Sequence, residues 1–485
     1  MAKPLAPATD RVRLFTRRRV IGAVLGSTAL LLLSACGGAT APAQPKPDAK
    51  PAEPPKPADA PKPAASAAAP AATPAQAAPA AKAGGLPNLK GTTLSVVSSS
   101  SFVPENDPFF KKQVEEGFMR ETGAQVTMEF IGNNDLQTKL TASIQGGAGP
   151  DIFMLFHNWA HLYKDALLDV SDITADIKKV TGEYYGVPEA YSKVEGKYLA
   201  VPRDIVGTAV HWRKSWFKEV GVESFPKTYD EMHAVGKKLK EKGRPLGASL
   251  GHSTGDPVFW VYPLVWAYGG QEVDDKGKVA INSPGTVAAV TTLKQAWKDA
   301  FDETGLAWDD SANNRAFLAE TVSATQNGAS IWWVARKDKQ PFLDDIGLDF
   351  IPAGPKGDIR MVASDYYGVM KYSKNADAAK AFLKWCMSDE IWMPWFELGA
   401  SYYSGVGEKQ NNNPLWEKFP PATRVFKKAP ENARAIGWPG PADSKVALVQ
   451  SKYILVDMFA KAVQGESPES AVAWAEKEMK DVYGG

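Results

Sequence analysis

The chain has 485 residues, 44% of them hydrophobic, and sets 56 basic against 55 acidic side chains. That balance excludes the cationic surface that nucleic acid or an anionic membrane face requires, and it points to a neutral or mixed ligand. Two cysteines at no metal or disulfide spacing exclude redox chemistry, whereas 15 Trp and 15 Tyr, with no Trp before Trp159, are an unusual aromatic load.

In chain order, Arg11, Arg13, Arg17, Arg18 and Arg19 precede an apolar run from Val20 to Leu33, the pattern of an export signal. At about 14 residues the run falls short of the ~20 that a permanent spanning helix uses. Leu33-Ser34-Ala35-Cys36 resembles a bacterial lipobox, so residues 1–35 read as a signal peptide removed before a lipidated Cys36. Thr16-Arg17-Arg18-Arg19-Val20 also resembles a twin-arginine signal, and both export routes stay open. Residues 36–87 then collapse to Ala, Pro and Lys without aromatics, which cannot bury a core and reads as an extended tether. Roughly 400 residues remain, more than one core usually serves, so two lobes are expected.

The folded body opens with a strand pattern over Gly91–Ser98, a helix over Phe109–Thr122 closed by Gly123, and an alternating strand over Ala124–Phe130. Leu136, Leu140 and Ile144 give a helix face ended by Gly146-Gly147, and the nearly continuous apolar run Pro150–Leu155 fits a buried parallel strand. The order is β-α-β-α-β. A Gly-Lys-Tyr turn at Gly196–Tyr198, a break at Pro202 and an alternating run Ile205–Trp212 then read as a strand that leaves one sheet for another across a cleft. Pockets of that kind usually hold small ligands.

Several landmarks carry a resemblance. Phe118-Met119-Arg120-Glu121-Thr122-Gly123, Leu136-Gln137-Thr138-Lys139-Leu140 and Gly149-Pro150-Asp151-Ile152-Phe153 are followed by Trp212-Arg213-Lys214 and Pro226-Lys227-Thr228-Tyr229-Asp230-Glu231. Gln326-Asn327-Gly328-Ala329 and Ala378-Ala379-Lys380-Ala381-Phe382-Leu383 complete the order. Together they resemble extracellular solute-binding protein family 1, which includes the maltose-binding protein, over roughly residues 90 to 485. The resemblance implies an α/β periplasmic-binding-protein clamp of the Venus-flytrap (type II) kind with three inter-lobe crossings, near Arg203, near Ala363 and Ser364, and near residues 411–414. Lobe 1 is then 88–204 plus 364–412, and lobe 2 is 205–363 plus 413–485. It also implies the substrate-binding component of an ABC importer with permease partners, a lipid anchor, no cofactor, and a chain acting as a monomer.

A sugar site needs flat aromatic faces and side chains that both donate and accept hydrogen bonds. On that logic the candidates are Ser99 and Ser100 after the first strand, His157, Asn158 and Trp159 after the third, and Asp204 beside Arg203 at the crossing. Trp212, Trp260, Tyr262, Asp365, Tyr366, Tyr402 and Trp438 join them, as do Trp332 and Trp333, of which a strand would turn only one toward the cleft. His157 and His161 stand four apart, yet no acidic third ligand accompanies them in a metal motif. Bland alternatives stand beside these: a serine-rich turn, an Arg203–Asp204 hinge pair, and indoles that only pack. Cys386 reads as a buried small hydrophobe.

Two overlapping G-x-S-x-G strings, Gly247–Gly251 and Gly251–Gly255, match a nucleophile elbow, but none of the five His residues follows Ser253 to complete its order. A lyase or glycosidase with paired carboxylates, or a sensor or adhesion protein on the same clamp, stays open as an alternative. Carbohydrate is the leading ligand class; polyols and glycerol phosphodiesters follow.

Overall fold

A computed structural model describes residues 85–484; the expected signal peptide, Cys36 and nearly all of the expected tether lie outside the described residues. Strands β1 (Thr93–Ser99), β2 (Gln125–Ile131) and β3 (Ile152–Phe156) pair in parallel with β1 central. Between β1 and β2 the helix Asn106–Val114 runs on through one wide π turn, Glu115–Met119, to Thr122. Gly123 ends it at φ 75°, a left-handed position that a side chain would strain. Leu136 and Leu140 are fully buried on the next helix, Asn133–Gly146, and every residue of β3 is buried, as a strand covered on both faces demands.

A small hairpin, β4 (Lys193–Val194) and β5 (Lys197–Tyr198), leads into β6 (Val201–Val206) and β7 (Ala209–Arg213). The single strand expected over Ile205–Trp212 is therefore two, broken at Gly207-Thr208. At Gly207 a Cβ would stand 2.5 Å from the Ala429 methyl, so only glycine lets residues 426–429 lie against the break. Then come β8 (Leu246–Gly247), β9 (Ala324–Asn327), β10 (Ile346–Asp349) and β11 (Ala363–Val369).

The strands form two main sheets. One is ordered β2-β1-β3-β11-β6, with β11 antiparallel to both neighbours; the other is ordered β10-β7-β9-β8. Gly207-Thr208 carries the chain out of the first sheet, and the segment between β10 and β11 brings it back. Residues 411–427 touch both bodies: Trp416 packs edge-on against Phe396 behind the first sheet, and Phe426 lies 6.1 Å from His211 of β7.

Each sheet has its own core. Phe118, Phe382 and Trp385 cluster behind the first. The second is backed by the helices Val258–Ala267, Pro284–Ala300, Ile454–Val463 and Pro468–Tyr483, the first of which is apolar on all sides and almost wholly buried. Much of the aromatic load is core: Trp159, Trp266, Trp297, Trp392 and Trp416 are all buried. Cys386 is buried on the helix Ala376–Cys386, where burial pushes its thiol up.

Glu272 is the second core's one buried acid. It is fully enclosed, its carboxylate accepts from the Gly437 amide at 2.8 Å, and burial pushes it up to about 8 against the pull of that bond. A pKa raised on folding contributes stability that is full below the unfolded value of about 4.5 and is lost as pH rises through about 8. Chemical denaturation from pH 5 to 9 is expected to show this loss, at most about 1.4 kcal/mol per pH unit. Glu272→Gln, which keeps an acceptor for Gly437, should flatten the alkaline limb; an unaltered profile would contradict the assignment.

Candidate functional site

A cavity of about 80 Å³ lies where the ends of the first sheet's strands face the second sheet. Ser99 at the end of β1, with Ser100, Ser101 and Phe102, forms one wall, and Phe156 and His157, at and just after the end of β3, form the next. Arg203 and Val206 of β6 and Ala363 and Asp365 of β11 supply the floor. From the other side come Thr208, the turn Thr254-Gly255-Asp256, Phe259, Asp310, and Gln326-Asn327-Gly328 at the end of β9. Asn133, Tyr402 and Tyr403 complete the lining.

His157 holds φ 46°, unusual for a side-chain-bearing residue, and is 2% exposed. Its Nε2–H donates across the cleft to the Thr254 carbonyl at 3.0 Å. Burial lowers its pKa, so the ring is neutral and fixed as the Nε2–H tautomer, while Nδ1 has no partner. Thr254 in turn donates to Asn134 at 3.0 Å, and Asn133 donates to Asp310 at 3.3 Å. His161 binds the Ala190 carbonyl at 2.8 Å instead, so the two imidazoles serve separate backbone acceptors.

At the floor, Arg203 Nε donates to Asp204 at 2.7 Å and Nη1 donates to the Tyr367 hydroxyl at 2.8 Å. The guanidinium lies 4.5 Å from the centre of the Trp395 ring, and its Nη2 is 3.8 Å from Asp365. Burial pushes the Asp204 and Asp365 carboxyls up, Asp365 further because it also faces Asp204.

The family model for bacterial extracellular solute-binding proteins matches residues 103–391, well over half of the chain. The chain belongs to that family. This solute-binding protein is 25% identical over 412 residues to the diacetylchitobiose binding protein DasA of Streptomyces coelicolor, covering 82% of this chain and 91% of the relative. In fold it is similar to maltose-bound MalE3 of T. maritima, with TM-score 0.70 and 19% identity over 81% of this chain and all of that one. It is equally similar to a ribitol-bound ABC transporter solute-binding protein of Agrobacterium radiobacter K84, with TM-score 0.69 and 23% identity over 81% and 99% of the two chains. The two-lobed clamp is thus the fold of this solute-binding protein.

Of the residues singled out in the sequence, the cavity gathers Ser99, Ser100, His157, Asp365 and Tyr402. The structure puts the others elsewhere. Asn158 is enclosed and donates to the Asp443 carbonyl at 3.2 Å, and Trp159 is core, edge-on to Phe156 at 5.5 Å. Asp204 sits behind the floor, held by Arg203. Trp212 packs on Phe217 and donates to Asp349 at 2.8 Å. Trp260 donates to the Ser249 carbonyl and stacks with Trp297 and Phe301, on the wall of a second, apolar cavity of about 50 Å³ behind Asp256 and Gln326.

Tyr262 is core beside Trp266, and Tyr366 is core against Tyr191. Trp332 and Trp333 are on a helix, Ser330–Lys337, and not a strand; both are mostly buried, and Trp333 lines a separate groove with Phe109 and Leu398. Trp438 packs on Trp266 with Arg434 over its ring. In the two elbow-like strings, Ser249 donates to the Trp308 carbonyl and His252 pairs with Asp457, so neither serine bonds a histidine.

Phe259 lines the cleft where Trp260 was expected, because one helical step turns a side chain by about 100°. Gln326, Asn327 and Gly328 stood out as landmarks without a role; their place at a strand end was the usable signal. Asp310 and Thr254 gave none, since each reaches the cavity from a loop remote in sequence.

Arg203 cancels charge that burial would otherwise leave bare. Arg203→Met strands Asp204, which is fully buried. Denaturant unfolding is expected to show a loss of about 3–5 kcal/mol; a loss below about 1 kcal/mol would mean that the carboxyls hold themselves neutral at no cost.

Proposed function

We propose that this solute-binding protein captures a carbohydrate or polyol between its lobes and delivers it to the permease of an ABC importer, working as a monomer anchored by Cys36 to the outer face of the cytoplasmic membrane. The observation that carries this is the cavity itself: hydroxyls, amides and carboxyls from both sheets converge on one small polar space, flanked by Phe102, Phe156, Phe259 and Tyr402. The ligands of similar proteins, diacetylchitobiose, maltose and ribitol, support a polyhydroxyl solute. On this reading the lobes part near Gly207, near Ala363 and across residues 411–427, and the protein performs no catalysis.

A ligand that touches both lobes favours closure by the amount it binds the closed state better than the open one. Thermal shift of the full chain with a panel of mono- and disaccharides and polyols is the test. A binder at 100 times its Kd should add about 2.7 kcal/mol of stability, and Tyr402→Ala or Gln326→Ala should reduce it. A rise with peptides and with no sugar or polyol would overturn the ligand class, and turnover of a sugar in the same tubes would overturn the binding role.

A further inference from the structure

We propose that the solute carries a positive charge, as an ammonium-bearing sugar or cyclitol, and that Asp365 and Asp256 receive it. This rests on the polyhydroxyl reading and narrows it.

The cavity and the cleft mouth beside it share Ser100, Ser101, Phe102, Asn133 and Asp310. Their walls hold five carboxylates, Asp135, Asp256, Asp309, Asp310 and Asp365, against a single cation, Arg203. The chain as a whole is balanced at 56 to 55, so the excess is local.

Arg203 is already engaged, by Asp204 at 2.7 Å and by Tyr367, with its face on Trp395. Asp309 is met by Arg315 at 3.4 Å on the surface, and Asp310 accepts from the Gly255 and Asp256 amides and from Asn133. Asp135 stands at the open mouth.

Two carboxyls remain. Asp365 is 7% exposed and lines the cavity, yet among the described residues its carboxyl has no hydrogen bond, and the cation nearest it, Arg203, is 3.8 Å away. Asp256 has an enclosed Oδ2 with no partner. Arg203 and Asp204 cancel each other, which makes Asp365 surplus. A sugar hydroxyl donates to such a carboxyl but leaves its charge uncancelled, whereas an ammonium both donates and cancels it where little water screens the pair.

Burial, with Asp204 beside Asp365 and with Asp310 and Asp309 beside Asp256, pushes both carboxyls up. The other groups facing them, Arg203, neutral His157 and Tyr402, leave that balance in place. An ammonium stabilises the ionised form of a carboxyl whose pKa is raised, so its binding weakens as pH falls.

Isothermal titration of the full chain with glucosamine and galactosamine, against glucose and galactose, and with putrescine as a sugar-free cation, tests this. At pH 7.5 the amino sugars are expected to bind about tenfold or more tighter than their hydroxyl counterparts. The preference should shrink at pH 5.5 and vanish in Asp365→Asn; Asp256→Asn is the second variant if the first alters the melting temperature. Equal or weaker binding of amino sugars, or a preference that survives both variants, overturns the proposal and leaves the carbohydrate reading intact. Putrescine bound while no sugar binds overturns the carbohydrate reading and keeps the cationic pocket.

Discussion

The buried guanidinium of Arg203 is the constraint on which the cleft depends. Burying a charge is costly unless it is paired and hydrogen-bonded, and the surroundings of Arg203 are built to that requirement. Asp204 lies beside it on the same strand, Tyr367 and Asp365 come from β11, and Trp395 and Tyr403 offer ring faces. The backbone is tied in as well: Trp392 Nε1 donates to the Arg203 carbonyl at 2.9 Å, and Ser364 donates to the Asp204 carbonyl at 2.7 Å. β6 is thereby pinned just before Gly207, so the chain departs for the second lobe from a fixed point.

The contacts that cross the cleft are of a different kind. His157 to Thr254, Thr254 to Asn134 and Asn133 to Asp310 are single hydrogen bonds, each worth little in net stability. A floor held by charge pairing thus stands beside a lip where the contacts between these residues are individually weak. On the proposed reading, closure is favoured by the amount the solute binds the closed state better than the open one.

How much of this was legible in the sequence follows from what each feature depends on. Strands and helices of the first lobe were readable because Leu136, Leu140 and the apolar run into β3 report their own burial through periodicity. The lining of the cavity was readable where a strand end alone decides it, as at Ser99, Ser100 and His157. It was not readable where side-chain direction decides it: Phe259 and Trp260 are neighbours, yet one faces the cleft and the other a stack of rings. Trp332 and Trp333 failed for a related reason, since the strand that would have split them is a helix. Asp204 and Asp365 carry the same chemistry, and only the pairing of β6 with β11 tells which one is covered.

The lining of the cavity includes phenylalanines and tyrosines but no tryptophan. On the proposed reading, the indole emission of this protein therefore arises from residues outside the solute's immediate lining. Trp395 is the exception in kind, since it rests against Arg203 directly behind the floor. On that reading a change in tryptophan fluorescence on adding solute reports rearrangement of the lobes or of that guanidinium rather than direct stacking of an indole on the solute.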